Sequence, residues 1–419
     1  MRSLLAARLL ARHAVPTFLA RTWRAPLLLA LAVWLLALPA LAQSAVLEPA
    51  KIRAVIVGVL AWQDPSIPTF STAARQDQEF YQILLQRGVP ASNMTLLLDD
   101  QATRAAVVEA LQSQVAATQP DETFLFYYAG HGVQGAQGQV LLVPYDYRRQ
   151  PGVSMADLEA LLTPLKAERT LLFADCCFSG ALDGVADGLQ AKGLQAASLA
   201  SASGTIPSIS NWTFTLTLID SFAGAPSADR NGDLRVTLAE TADEIADAMR
   251  FHEYQQSGGS RRPWFGDLTI ATAPEVERDL PEPFHLYDYV MISYEGKKGM
   301  GRLVGTEGEN YVVELQAYNS RVPLEVPAEY LQPLPPPPDR ATTDPVQAAS
   351  LDGKYSELQR TIEVEPDYIQ FGAFHDRGFQ AGGTYRGHAA LPDGYWVYVY
   401  PNWYIWRASS EPTRPAGSE

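Results

Sequence analysis

Glu122–Gly132 reads ETFLFYYAGHG, and Thr170–Gly180 reads TLLFADCCFSG. Each stretch is a short, unbroken apolar run that breaks abruptly into a glycine-bounded turn. An apolar run of this length, with no polar alternation, describes a strand buried on both faces. Such strands belong to a parallel sheet with helices packed on each side. In open α/β sheets, ligands collect beyond the carboxyl ends of the strands, where the loops converge. Both turns fall at such ends, and both carry chemistry: His131 in one, Cys176 and Cys177 in the other.

Outward from these two strands, the same alternation of apolar runs and amphipathic stretches continues. Ile52–Val59 and Met94–Leu98 read as further strands, with helices over Thr72–Arg87 and Gln101–Ala117. Val140–Tyr147 reads as a hairpin arm, Met155–Lys166 as a helix and Leu199–Ser203 as a strand. Thr213–Phe222 and Leu238–Arg250 are helical, and Asp267–Ala271 supplies a last strand. Leu182–Gln195 is small and polar and reads as a flexible linker. Together, 43–273 form an α/β domain with a mostly parallel sheet and flanking helices.

The chemistry expected at the two turns is nucleophilic. A cysteine acts as a thiolate, and a nearby imidazole sets its protonation. Backbone N–H groups must face the developing oxyanion. A glycine beside the histidine lets the backbone approach a substrate closely. The remaining histidines, His13, His252, His285, His375 and His388, lack the close spacing that a zinc site uses.

Tyr127-Tyr128-Ala129-Gly130-His131-Gly132 resembles the His-Gly motif of caspases, metacaspases and their bacterial caspase-like relatives, the orthocaspases among them. Asp175-Cys176-Cys177-Phe178-Ser179-Gly180 resembles the metacaspase Asp-x-Cys-x-Ser-Gly motif. The two motifs are about 50 residues apart, as in caspases. The resemblance covers about 52–272, including Arg75-Gln76-Asp77. It implies a caspase-like cysteine endopeptidase with His131 as general base and Cys177 as nucleophile. The N–H groups of Gly132 and Cys177 would form the oxyanion hole. Asp175 lies two residues before the nucleophile, where the family lines its primary specificity pocket, and Asp77 matches a second pocket position. Two carboxylates there imply cleavage after Arg or Lys. Cys176 is expected to pack as a small buried residue facing away from Cys177. Phe178 replaces a histidine frequent in metacaspases. The resemblance also implies self-cleavage in the linker, for which Lys192 is the candidate, and calcium as an activator with no other cofactor required.

Asp229–Glu240 offers a place for that ion. Asp229, Asn231, Asp233, Thr237 and Glu240 fall at positions 1, 3, 5, 9 and 12 of an EF-hand-like loop. Leu234 occupies position 6, where the sharp turn normally needs glycine, so a helix-capping turn is the competing reading.

Met1–Arg24 holds arginines 2, 8, 12, 21 and 24 and no acid. An apolar run to Leu38 and the Ala40-Leu41-Ala42 site follow. This is the pattern of a secretory signal peptide over 1–42, with a retained membrane anchor as the alternative. Its removal takes the basic residues from 32 to 27 against 47 acidic ones, so the net charge moves from −15 to −20. A chain this acidic is not expected to bind nucleic acid, and its partner is a peptide or protein substrate. The two cysteines are neighbours, so no disulfide can join distant segments.

Past Pro274–Pro283 the pattern becomes short strands with glycine turns: Tyr287–Tyr294, Gly299–Thr306, Tyr311–Gln316 and Val322–Val326. This spacing describes a small SH3-like β-barrel over 284–334. A Pro-rich linker, 335–344, leads to an aromatic-rich β segment over 345–408. These modules are expected to hold a protein or cell-wall ligand. The alternative to an enzyme is a catalytically silent caspase-like scaffold that only recognises peptides.

Overall fold

The computed structural model describes residues 45–333, apart from 74, 136–137, 203–210, 254–256, 279, 282, 295–296 and 318–319, and six short strands between 369 and 408. The leader and the 335–344 linker lie outside the described residues, as does most of the C-terminal segment.

In chain order the first part comprises β1 (Ala45–Val46), β2 (Ile52–Gly58), α1 (Gln76–Gln86), β3 (Met94–Leu98), α2 (Arg104–Ala117) and β4 (Thr123–Ala129). Then come β5 (Gly132–Gln134), β6 (Val140–Leu142), β7 (Val153–Ser154), α3 (Met155–Leu162), β8 (Arg169–Asp175), α4 (Leu182–Ala191) and β9 (Ala196–Ala200). α5 (Thr213–Ala223), β10 (Arg235–Thr237), α6 (Leu238–Glu253) and β11 (Leu268–Thr272) complete it.

The central sheet has the order β3-β2-β4-β8-β9, and every pair in it is parallel. β4 is the middle strand, and all seven of its residues are buried. One sheet face, with Ile56, Tyr127 and Phe173, packs on Phe80 and Leu84 of α1, Phe214 and Phe222 of α5, and Ile245 of α6. The other, with Val57, Phe126 and Leu172, packs on Val107 and Leu111 of α2, Leu158 of α3, and Val185 and Leu189 of α4. Covering both faces removes polar alternation from the strands, which is why their sequences are continuous apolar runs. Each large side chain buried this way contributes about 1.5–3 kcal/mol.

Local signals set the helix ends. Thr103 Oγ1 accepts from Ala106 N (3.3 Å) at the start of α2, and Ser154 with Asp157 forms a capping box on α3. α5 stops at Gly224, whose φ of 74° is the left-handed conformation glycine tolerates.

Three expectations change. Leu182–Gln195 is not a flexible linker: Leu182, Val185, Ala186 and Leu189 form a buried stripe, and the segment is helical through Ala191. The strand placed at Leu199–Ser203 is Ala196–Ala200. Asp267–Ala271 corresponds to β11, which pairs with β1 and β10 in a separate sheet rather than with the central one.

Residues 289–333 form an antiparallel sheet of β12 (Tyr289–Tyr294), β13 (Lys297–Glu307), β14 (Asn310–Ala317), β15 (Ser320–Val326) and β16 (Leu331–Pro333). The order is β15-β14-β13-β12-β16, with β15 and β16 at the edges. The fifth strand, β16, is absent from the sequence pattern because it is three residues long. Phe284, Val290, Leu303, Tyr311, Val313 and Val326 form its core.

This sheet docks on α5 and α6 through arginines. The Arg302 guanidinium binds both oxygens of Glu244 and the Ser227 carbonyl (3.2 Å), and Nε donates to Tyr287 O (3.1 Å). Arg321 pairs with Asp220. Farther on, Gly394–Val399 pairs antiparallel with Trp403–Ala408, so the aromatic-rich stretch contributes two paired strands. Among the described residues, no helix is long and apolar enough to cross a membrane.

Candidate active site

The chain leaves β2 and β4 for opposite halves of the sheet: β3 lies outside β2, and β8 and β9 lie outside β4. Such a divergence opens a crevice at the strand ends. Gly58, Ala129 and Asp175 stand side by side there, in register across β2, β4 and β8.

The turns after β4 and β8 are stitched together. Gly130, at φ 150°, donates its N–H to Asp175 O (3.3 Å). Gly132 lies against the cysteine turn, where a Cβ would sit 2.0 Å from Cys177 O and 3.1 Å from Cys176 Sγ. A side chain at 132 would force the two turns apart, which is the physical need for glycine beside the histidine. Tyr128 secures the same turn, its hydroxyl donating to His131 O (2.8 Å) and accepting from Val143 N (3.1 Å).

The structure therefore brings together the segments holding His131, Gly132 and Cys177. His131 is half-buried and its Nε2 lies 2.8 Å from Pro68 O. A carbonyl oxygen only accepts, so Nε2 carries the proton and Nδ1 is left as the basic nitrogen. The ring stacks on Trp62, with centroids 4.4 Å apart and planes at 30°, and touches Phe70 at 4.5 Å.

The two cysteines occupy different environments and form no disulfide. Cys176 is buried on the α2–α3–α4 side of the sheet, and burial, with the neighbouring Cys177 and Asp175, pushes its thiol well up. Cys177 is half-buried at the turn. Phe178 follows in the left-handed region at φ 59°, and Ser179 N closes the turn on Cys176 O (3.3 Å). Ser179 is buried and its Oγ accepts from Ala202 N (3.0 Å), tying the turn to the end of β9.

Asp175 and Asp77 lie on one side of the sheet, and both charges act on the Tyr127 hydroxyl, which burial already pushes well up. Tyr127 Oη lies 2.7 Å from Thr215 Oγ1, and Thr215 Oγ1 donates to Asp175 Oδ2 (2.6 Å). Burial raises the Asp175 carboxyl from 3.8 to about 6, against the lowering effect of the Thr215 and Ser201 hydroxyls. Among the described residues, no ion pair neutralises it.

Asp77 differs. It is fully buried under Gly58 and held by the fork of Arg75, with Nη2–Oδ2 at 2.7 Å and Nε–Oδ1 at 3.0 Å. The same guanidinium binds Asp99 and donates to Gly58 O (3.1 Å). The charge of Asp77 is thus matched from within the chain.

Two other candidate sites lie elsewhere. Lys192 caps the end of α4, where Nζ pairs with Glu159 (2.8 Å) and donates to Thr163 Oγ1 (2.9 Å). In the acidic turn, Asp229 accepts from Gly232 N and Leu234 N and pairs with Arg278 (3.0 Å). Asn231 and Asp233 each accept from a backbone N–H two residues on. Glu240 accepts from Arg230 N and Asn231 N through one oxygen and Thr237 N through the other. Leu234 takes the left-handed conformation, φ 65°, that position 6 demands. Among the described residues, no group of three or more His, Cys, Asp or Glu side chains is arranged to hold a metal ion.

Trp62, Pro68, Phe70, Thr215 and Ser201 escape the sequence reading, and Arg75 entered it only as part of the Arg75-Gln76-Asp77 match. One signal was present: Trp62–Phe70, WQDPSIPTF, sets two aromatics and two prolines in a loop directly after a strand end. The others are ordinary polar residues until the fold places them.

Residues 53–184 match the family model for the metacaspase, peptidase C14 domain. No curated relative matches the chain. Similar solved structures include a structural-genomics protein of Geobacter sulfurreducens, at 18% identity and TM-score 0.36, covering 54% of this chain and 98% of that one. Caspase-1 from Spodoptera frugiperda is 13% identical with TM-score 0.36, covering 54% and 92%. The Arg-specific cysteine proteinase gingipain R is 14% identical with TM-score 0.33, covering 68% and 69%.

Proposed function

Residues 53–184 carry a caspase-like cysteine peptidase domain of metacaspase type, and from this premise we propose an exported endopeptidase that cleaves after Arg or Lys. Cys177 is the nucleophile and His131 the base. His131 Nδ1 takes the thiol proton as Sγ attacks the scissile carbonyl carbon. The Gly132 and Cys177 N–H groups receive the oxyanion. The proton then passes to the leaving amine, and water hydrolyses the thioester to free the thiol. The observation that carries this reading is the contact between the two turns, with Cys177 O against the bare Cα of Gly132.

Asp175 supports the basic preference. It is a carboxylate at the strand end beside the nucleophile, held by hydroxyls and left with charge to offer a cation. Export by the 1–42 leader, self-cleavage after Lys192 and SH3-like closure of the 289–333 sheet belong to the same proposal.

Purified protein in reducing buffer, with and without calcium, is assayed on fluorogenic peptides bearing Arg, Lys or Asp before the scissile bond. Cleavage of the basic peptides, abolished by Cys177→Ala, is expected. Cleavage only after Asp would overturn the specificity, and equal rates for wild type and Cys177→Ala would overturn the catalytic reading. An active preparation that stays one intact chain by mass spectrometry would remove Lys192 as a self-cleavage site.

A further inference from the structure

The loop between β2 and α1 is anchored at several points around the strand ends. Val59 N donates to Ala129 O (2.9 Å), Leu60 N to Asp99 Oδ1 (2.8 Å), and Gln63 N to Tyr145 O (3.0 Å). Phe70 N closes the loop on Leu60 O (2.9 Å). Trp62 is buried, 7% exposed, and its Nε1 donates to Val143 O (3.3 Å). Val143 in turn belongs to the Tyr128 network that fixes the His131 backbone.

Against this anchored loop rests the His131 ring. Among the described residues, the ring's hydrogen bond is Nε2 to Pro68 O, which sets the tautomer but does not by itself fix the rotation of the ring plane about Cβ–Cγ. A pivot would swing Nδ1, on the other side of the ring, away from any fixed partner. Trp62, stacked at 4.4 Å and 30°, removes that freedom, and Phe70 at 4.5 Å and 47° adds a second aromatic contact. Phe70 also packs edge-on against Trp62 at 5.8 Å and 70°, so the two rings brace each other.

We propose that Trp62, braced by Phe70, is a positioning residue that fixes the plane of the His131 imidazole for proton transfer. This rests on His131 being the general base. Neither aromatic needs to touch the substrate: they act through the histidine. Displacing a catalytic group by an ångström can cost about a hundredfold in rate, so the planar contact has room to matter.

The test compares Trp62→Phe, which keeps a ring but loses the bond to Val143, with Trp62→Leu, which loses both. Peptidase kcat and KM are measured for each, along with Cys177 alkylation by iodoacetamide read by mass spectrometry. Trp62→Leu is expected to lower kcat at least about tenfold at unchanged KM, and to slow alkylation. Trp62→Phe should recover most of both. An equal fall in the two variants, a rise in KM alone, or no change overturns the inference. Should Trp62→Leu fail to fold, Phe70→Leu against Phe70→Tyr makes the same comparison under the same criteria. His131→Ala separates the two levels of argument. If it leaves alkylation and turnover at wild-type rates, the base assignment fails and this inference with it. If it abolishes both while the Trp62 and Phe70 variants match wild type, only this inference fails.

Discussion

Asp175→Asn should stabilise the fold near neutral pH while removing the charge proposed to select the substrate. Burial holds the Asp175 carboxyl at about 6 in the folded chain, against an ordinary value of 3.8. The folded state therefore binds this proton more tightly than the unfolded state. Stability is greatest while both states are protonated, and it falls as pH rises from about 3.8 to about 6. At 1.36 kcal/mol per unit, the folded protein is about 3 kcal/mol less stable at pH 7.5 than with a neutral group in that place. Asparagine is neutral at every pH and can still accept from Thr215 Oγ1, which sits 2.6 Å from Asp175 Oδ2. Rearranging the Ser201 contact costs about 1 kcal/mol. The variant should thus be about 2 kcal/mol more stable than wild type at pH 7.5, and equal or slightly less stable at pH 4. Urea unfolding of both proteins at pH 4, 5, 6 and 7.5 measures the difference directly. A difference that does not change with pH would refute the reasoning, since it would show no tightly held proton at Asp175. In the peptidase assay, wild-type cleavage after Arg should decline below about pH 6 as Asp175 protonates, and Asp175→Asn should lose its basic preference at all pH.

Other perturbations probe the surrounding contacts. Gly132→Ala places a methyl 2.0 Å from the Cys177 carbonyl, which is backbone and cannot swing aside; loss of activity with at least about 2 kcal/mol of stability is expected by urea titration. Arg75→Ala strands Asp77, fully buried, without its guanidinium and should cost about 3–5 kcal/mol. The double variant Arg75→Ala/Asp77→Asn should recover part of that loss in the same unfolding assay. Arg302→Ala leaves buried Glu244 with Arg230 as its remaining cation and should cost about 3 kcal/mol. Protease nicking between 273 and 289 should become faster. Calorimetric titration with calcium should give no saturable heat in wild type, because Arg278 already sits on Asp229; a saturable signal lost on Glu240→Gln would show that the ion displaces the arginine.

The sequence by itself determined the parallel sheet and the two turns that matter. β2 and β3 lie within a residue of their expected bounds, and β4 and β8 coincide with the apolar runs that lead into the two turns. Strand identity is written locally, in apolar runs too short for helices and ended by turn residues. Where local composition misleads, the reading fails: α4 looked like a linker because its exposed side is small and polar, and only its buried stripe makes it a helix. The site divides in the same way. His131, Gly132 and Cys177 carry a motif, so the residues alone mark them as candidates. Their supports carry none, because each acts across a long stretch of chain. Thr215 reaches Asp175, and Pro68 and Trp62 reach His131. Such partners meet only because the order β3-β2-β4-β8-β9 gathers the strand ends, and that order comes from packing helices on both faces of the sheet. Asp77 shows the difference at one residue. Its sequence position suggests a pocket carboxylate with Arg75 close by, and the folded chain buries it and closes the fork of that guanidinium on it.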